Sequence, residues 1–355
     1  MVGIRDLARH LDISIGTVSR ALNDKADVNA ETRARVHAAA AKFGYSPNQS
    51  GRSLRRGKTD LVGVIVPVGP NNVLINPVFL SVLDGLRRKL LESRLDIAIF
   101  LQGQDEDILS SVRRATERGL VDGVIVSNTQ RRDPRIDFLL ERRRPFVAFG
   151  RSLSGGAHPW VDPDFEAATN EAVEHLAERG HQRIGLLLPS GETNYLYLIA
   201  AAYRAALARR GLIVDPAYLQ RRPAGEVGGL EAVEALLAMP TPPTAILVSE
   251  ALQTIGLYRG LAEAGLSPGR DISVLGLLAE ERVLTLTPAL ARMETDWAFV
   301  GTRLGEALIS ALTATAPVRG RAQAKMAQFV IPTHFVDGGS VHRCGALDKT
   351  RVANK

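Results

Sequence analysis

The chain has 355 residues, of which 45% are hydrophobic, 23% charged and 5% aromatic, and it carries a formal net charge of +6. At roughly 100–200 residues per domain this length predicts two or three domains, and the near-average composition argues against disorder, collagen or a coiled-coil rod. The charge is unevenly placed: residues 1–60 hold eleven Lys and Arg against six Asp and Glu, while the other 295 hold 33 against 32. A compact basic module on a near-neutral body is the electrostatic footprint of a nucleic-acid binder.

One cysteine, Cys344, rules out an internal disulfide framework and a cysteine-rich zinc site. No apolar run approaches the ~18 residues of a bilayer span. The opening MVGIRDLARHLD mixes charged with apolar residues, unlike an export signal. The expectation is a soluble, cytoplasmic protein without a membrane partner.

In chain order, Ile4, Leu7, Ala8 and Leu11 fall at i, i+3, i+4 and i+7, one apolar face of a first helix. Asp12-Ile13-Ser14 interrupts it, and the Ser14 hydroxyl can cap a second helix by accepting a first-turn N–H. That helix, Ile15 to Leu22, buries Val18, Ala21 and Leu22 and presents Gly16, Thr17, Ser19 and Arg20. A third runs from about Glu31 to Phe43, with Gly44 as its stop. Two short helices joined by a tight turn form a helix-turn-helix, whose second helix enters the major groove.

The run Ser14-Ile15-Gly16-Thr17-Val18-Ser19-Arg20-Ala21-Leu22-Asn23, then Glu31-Thr32-Arg33-Ala34-Arg35-Val36, Gly44-Tyr45-Ser46-Pro47-Asn48 and Arg52-Ser53-Leu54-Arg55, closely resembles the DNA-binding headpiece of LacI/GalR-family transcriptional regulators. The resemblance implies that Ile15 and Gly16 form the specificity pair. Neither side chain can donate a hydrogen bond, so reading there is limited to apolar contact, and Arg20 becomes the candidate to grip guanine O6 and N7. Ser14, Thr17, Ser19, Asn23, Tyr45 and Asn48 are expected to position phosphates, which fixes register without reading sequence. Ser46 to Arg56 is expected to be the hinge helix, with Pro47 in its first turn, where a missing N–H costs nothing. A helix so short is marginal alone, so its ordering is expected on DNA and at a dimer contact. Ser50, Gly51 and Arg55 are expected to meet DNA there, with Leu54 as the minor-groove wedge. Gly51 replaces the family's common alanine and loosens this helix by up to ~1 kcal/mol.

From Leu61 the pattern changes. Apolar runs at 61–67, 96–101, 123–127 and 146–150 alternate with helical segments such as Phe79–Glu92 and Glu106–Arg118. The cycle restarts with runs at 183–189, 245–249 and 272–277, separated by helices at Asn194–Arg210 and Glu226–Ala238. Apolar strands alternating with helices predict parallel sheets covered on both faces. Two such series predict two doubly wound lobes with a ligand cleft between them. Asn76-Pro77, Val121-Asp122-Gly123, Glu174-His175-Leu176, Gly180-His181-Gln182-Arg183 and Gly269-Arg270-Asp271 extend the resemblance to the family's periplasmic-binding-protein-like core.

The expected fold is therefore an α/β two-lobed core of two doubly wound parallel sheets, behind an all-α helix-turn-helix N-terminal domain. The boundaries read as headpiece 1–45, hinge and linker 46–58, core 59–340 and flexible tail 341–355. The family's three crossings between lobes are placed near Trp160, Ala291 and Ala327, giving an N-lobe of about 59–160 and 292–326 and a C-lobe of about 161–291 and 327–340. The tail lacks the heptad leucines of a tetramerising helix, so a homodimer is expected.

The pocket departs from the family pattern. Many sugar-responsive members hold hydroxyls with an arginine three residues before a Gly-aromatic pair; here the pair is Ala202-Tyr203 and Ile199 takes the arginine's place. Leu278 replaces a sugar-gripping aspartate, and Ser249 stands where asparagine is common. These losses remove charge-assisted hydrogen bonds and disfavour a small bare monosaccharide. The candidate effector-binding residues are Asn76, Phe79, Ser127, Arg151, Trp160, Asp162, Asn194, Tyr195, Tyr197, Ser249 and Leu278. Their aromatic faces and polar groups suit a disaccharide or glycoside.

The implied function is a transcriptional regulator, expected to be a repressor, in which a carbohydrate between the lobes controls affinity for a near-palindromic double-stranded operator. The alternatives are a non-sugar metabolite as effector, or a sugar-transport binding protein, which the headpiece argues against. No Walker A loop, HExxH or GxSxG elbow is present and the seven histidines lack metal-ligand spacing, so neither enzyme activity, metal nor cofactor is expected.

Overall fold

The computed structural model describes residues 3–22, 24–25, 27–45, 58–68, 77–103, 105–278, 280–314 and 326–344. The chain divides into two compact units, Met1–Thr59 and Asp60–Lys355.

In the first unit, helices α1 (Ile4–Leu11), α2 (Ile15–Ala21) and α3 (Ala30–Lys42) enclose a small core. Leu7, Val18, Ala21, Val28 and Val36 are buried together in it, so the helical periodicity of all three segments converges on one point. Ser14 caps α2, its Oγ accepting from Thr17 N at 3.0 Å. Asn29 caps α3 in the same way, accepting from Thr32 N at 2.7 Å. Each cap satisfies a first-turn amide that has no partner within its helix.

The second unit holds two six-stranded sheets. The first lobe is built on β1 (Leu61–Pro67), β2 (Asp96–Gln102), β3 (Gly123–Val126), β4 (Phe146–Phe149), β5 (Trp160–Pro163) and β11 (Gln328–Ile331), in the order β11-β5-β4-β3-β1-β2 and all parallel. Its helices are α4 (Pro77–Leu91), α5 (Ser110–Glu117), α6 (Pro134–Glu141) and α11 (Trp297–Ala314). The second lobe uses β6 (Ile184–Pro189), β7 (Leu219–Arg222), β8 (Ala245–Val248), β9 (Ser273–Gly276), β10 (Ala291–Glu294) and β12 (His334–Val336), in the order β12-β10-β9-β8-β6-β7. Only β12 runs antiparallel there. Helices α7 (Phe165–Glu178), α8 (Asn194–Arg209), α9 (Glu226–Leu237) and α10 (Ala251–Glu263) cover it.

The central strands β1, β3, β6, β8 and β9 are continuous apolar runs because helices seal both sheet faces. Two helix pairs approach almost backbone to backbone. A Cβ at Gly85 of α4 would stand 1.9 Å from the Ala298 carbonyl oxygen, and one at Gly229 of α9 would stand 2.2 Å from that of Gln253.

Three expectations shift. The crossings fall a few residues later, because β5 and β11 pair within the first sheet and β10 within the second. The helix expected from Glu106 begins at Ser110, after a turn in which Gln102 Nε2 donates to the Asp107 carbonyl at 3.1 Å. The tail expected to be flexible from residue 341 is held by hydrogen bonds at His342 and Cys344. Ser340 is fully buried, its Oγ donating to the Val274 carbonyl at 2.6 Å and accepting from Ala291 N at 2.8 Å. Cys344 N donates to the Arg179 carbonyl at 2.8 Å.

Candidate functional site

Two sites emerge, one on each unit. On the first, α2 exposes its N-terminal end: Ser14, Ile15 and Gly16 are solvent-facing, and Ile15 is 45% exposed despite its apolar side chain. Thr17 and Ser19 are half-buried beside them. Arg20 points back along this face; its Nη2 donates to Thr17 Oγ1 at 3.4 Å and its Nε lies 3.2 Å from Asp27 Oδ2. Tyr45 packs its ring against the three-helix core and donates its N–H to the Ala40 carbonyl at 2.9 Å. Asn23, Asn48, Ser50, Gly51, Leu54 and Arg55 lie outside the described residues, as does the hinge segment.

On the second unit, the lobes meet through main chain as well as side chains. The turn after β3 and the loop before α8 form an antiparallel bridge, Gln130 with Thr193. Arg131 N donates to the Glu192 carbonyl at 3.1 Å, and Asn194 N to the Thr129 carbonyl at 2.9 Å. Asn194 Nδ2 donates to the Arg151 carbonyl at 2.8 Å. The turn itself is braced by the buried pair Asp133–Arg135, in which Arg135 Nη2 also donates to the Asn128 carbonyl.

Beside this seam is a cavity of about 360 Å³, walled by Arg131, Arg151, Trp160, Asn194, Tyr197 and Leu198 among others. Its size falls within the roughly 300–1,000 Å³ of small-molecule sites. Two guanidiniums lie over the Tyr197 ring, Arg131 at 4.9 Å and Arg221 at 5.4 Å from its centroid. Its hydroxyl donates to Glu192, and that carboxylate raises the phenol's pKa. Arg151 lies 5.6 Å from the Trp160 ring centroid.

Arg151 is also clamped from two sides. Its Nε donates to Asp162 Oδ2 at 2.8 Å and its Nη1 to Glu166 Oε1 at 3.0 Å. Burial pushes the Asp162 carboxyl up to about 6, with Arg151 pulling the other way. A second cavity between the lobes, about 380 Å³, is lined by residues of α4 (Pro77, Leu80, Ser81) and by Glu280, Glu294 and Trp297. Arg292 Nε donates to Glu294 at 2.7 Å, and Glu280 pairs with Arg282.

Of the residues singled out as effector-binding, Arg151, Trp160, Asn194 and Tyr197 are thus brought together. Of the others, Phe79, Ser127, Asp162, Tyr195, Ser249 and Leu278 line neither cavity. Phe79 is buried in the first lobe's core, because it falls on the sheet-facing side of α4. Ser127 is buried, its Oγ donating to the Ile65 carbonyl at 2.6 Å. The Asp162 carboxyl is buried behind Arg151. Tyr195 stacks on Phe165 at 5.3 Å between centroids, and burial pushes its phenol up. Leu278 packs against the second lobe's core. Ser249 is buried, and its Oγ makes no hydrogen bond among the described residues. Asn76 lies outside the described residues. Ile199, standing where a sugar-binding arginine is common, is fully buried. Arg131, Glu192 and Arg221 were missed, since their proximity to Tyr197 depends on how the lobes fold and meet.

A helix-turn-helix unit joined to a two-lobed, periplasmic-binding-protein-like core defines a DNA-binding transcriptional regulator. Residues 3–48 match the model of bacterial regulatory proteins, lacI family, and residues 173–341 match the periplasmic binding protein-like domain. The transcriptional regulator AglR of Rhizobium meliloti is 34% identical over 286 residues, 80% of this chain and 79% of AglR. RafR of Escherichia coli is 31% identical over 347 residues, 96% of this chain and 99% of RafR. This chain belongs to the LacI family of bacterial regulators.

Among solved structures, the Lac repressor dimer bound to operator and the anti-inducer ONPF aligns with a TM-score of 0.83 at 22% identity, covering 96% of this chain and 99% of that one. The CelR–cellobiose complex aligns at 0.72 and 22%, covering 96% and 100%. At these identities the likeness is one of fold. No helix among the described residues is long and apolar enough to cross a membrane.

Proposed function

We propose that this protein is a cytoplasmic repressor that binds a near-palindromic operator as a homodimer and is controlled by a disaccharide or glycoside held between its lobes. The headpiece, about residues 1–45, supplies Arg20 for base reading and the α2 face for phosphate contacts, and 46–58 serves as the hinge. Paired headpieces on a two-fold axis require a palindromic site. The cavity walled by Trp160, Tyr197 and Arg151 carries the effector reading, because it joins two aromatic side chains to polar groups from both lobes. The cellobiose bound to CelR supports the ligand class. A ligand that bridges the lobes changes their relative stability, and its coupling to operator affinity is reciprocal.

A thermal-shift screen of the protein against monosaccharides, disaccharides and glycosides tests this. Disaccharides or glycosides should raise the melting temperature; a response to phosphorylated sugars or purines alone contradicts it. One observation favours a second reading, a non-sugar metabolite bearing an anionic group. Arg131 faces the same cavity and forms no ion pair among the described residues.

A further inference from the structure

We infer that Asp27 is a positioning residue that aims Arg20 at a guanine and so sets operator specificity. This rests on α2 being the DNA-reading helix. Arginine has five N–H donors and a long flexible stem, so an unrestrained one reads bases poorly and finds phosphates easily. Here the guanidinium is tethered twice. Asp27 Oδ2 forms an ion pair with its Nε at 3.2 Å, and Thr17 Oγ1 accepts from Nη2 at 3.4 Å. Thr17 is itself held, its Oγ1 lying 2.9 Å from Ser14 Oγ at the helix cap. With Nε against Asp27 and one Nη2 hydrogen directed at Thr17, Nη1 and the second Nη2 hydrogen are the end-on pair left to meet a base.

That pair lies close to the start of the helix. A Cβ at Gly16 would lie 3.4 Å from Arg20 Nη1, so the guanidinium reaches back beside the first turn of α2. That is the end of a recognition helix that approaches base edges. The carboxylate sits on an anchored loop. Val28, next to Asp27, is buried in the headpiece core. Arg33 of α3 donates from Nη2 to the carbonyls of Lys25 at 2.9 Å and Val28 at 3.1 Å. Asp27 is itself largely exposed. A carboxylate near the DNA-facing side opposes phosphate binding. Its effects on specific and non-specific binding therefore have opposite signs.

The test uses the full-length protein and three duplexes: an inverted repeat selected from a random pool by the wild type, the same repeat with 7-deazaguanine at its guanines one position at a time, and a random-sequence competitor. For the wild type, one symmetric deazaguanine substitution should weaken binding about tenfold, as loss of one arm of a bidentate contact does. Asp27→Asn should bind the random duplex as tightly as the wild type or more so, and should lose most of its sensitivity to that substitution. Asp27→Glu should restore the sensitivity in part, and Arg20→Ala combined with Asp27→Asn should lose no more than Arg20→Ala alone. Equal weakening of all three duplexes by Asp27→Asn, or retention of the full deazaguanine penalty, overturns the inference. Failure of the wild type to select any inverted repeat would instead overturn the proposed function.

Discussion

Asn194, the first residue of α8 in one lobe, donates its side-chain amide to the main-chain carbonyl of Arg151 in the other at 2.8 Å. The same residue's backbone N–H reaches the Thr129 carbonyl. One buried residue therefore ties both Arg151 and Thr129 of the first lobe to the start of α8 in the second.

Replacing Asn194 with Ala leaves the Arg151 carbonyl without this donor, at a cost of about 1 kcal/mol. The melting temperature measured by differential scanning fluorimetry should fall by about 2–4 °C. The ligand-induced rise should shrink as well, since the tie spans both lobes. An unchanged melting temperature and ligand response would show that the seam does not depend on this bond.

The Arg131 and Arg221 guanidiniums both lie over the Tyr197 ring. Tyr197→Ala should weaken effector binding about tenfold, the scale of one lost aromatic contact, while Tyr197→Phe retains most of it. Calorimetric titration with the carbohydrate that gives the largest thermal shift checks this; equal loss in both variants would assign the role to the hydroxyl.

His181 predicts an acid response. It is fully buried, with Nδ1 3.0 Å from Thr244 Oγ1 and Nε2 2.9 Å from Ser273 Oγ, in the network that docks His342. Burial lowers its pKa from 6.5 to about 4. The unfolded chain therefore binds the proton first as pH falls. The stabilisation is complete above pH 6.5 and is lost progressively toward pH 4, on the order of 1 kcal/mol per pH unit. Denaturant melts between pH 7 and 5 should show this slope, and His181→Gln should flatten it. Equal slopes in the two proteins would exclude His181 as its source.

Arg20→Ala should relax base preference, whereas Arg56→Ala, at the end of the segment expected to be the hinge helix, should weaken all sequences about equally, as loss of a phosphate contact does. Competition binding against single-base operator variants separates the two; uniform weakening by both would contradict the division.

Much of this architecture was legible in the sequence because it follows from local chemistry. The Ser14 cap, the Ile4-Leu7-Ala8-Leu11 stripe and the apolar runs of β1, β3, β4, β6, β8 and β9 each appear where composition and periodicity place them. The short strands β7, β10, β11 and β12 were not legible, since three or four residues such as Ala291–Glu294 take their pairing from the sheet edge rather than from their own pattern. Side-chain direction was the harder problem at the cleft. Phe79 and Trp160 are both aromatic and both lie near the start of an element, yet Phe79 is buried in the core while Trp160, half-buried against it, also reaches the cavity. The clamp on Arg151 likewise needs Glu166, fifteen residues away and in reach only after β5 has turned into α7.

The most direct measurement is an electrophoretic mobility shift with the full-length protein on an inverted-repeat duplex selected from random sequence, with and without the disaccharide or glycoside identified by thermal shift. The account predicts a two-fold-symmetric complex that resists random competitor and whose affinity changes with the ligand. Binding to that duplex no tighter than to the competitor, in either condition, would contradict it.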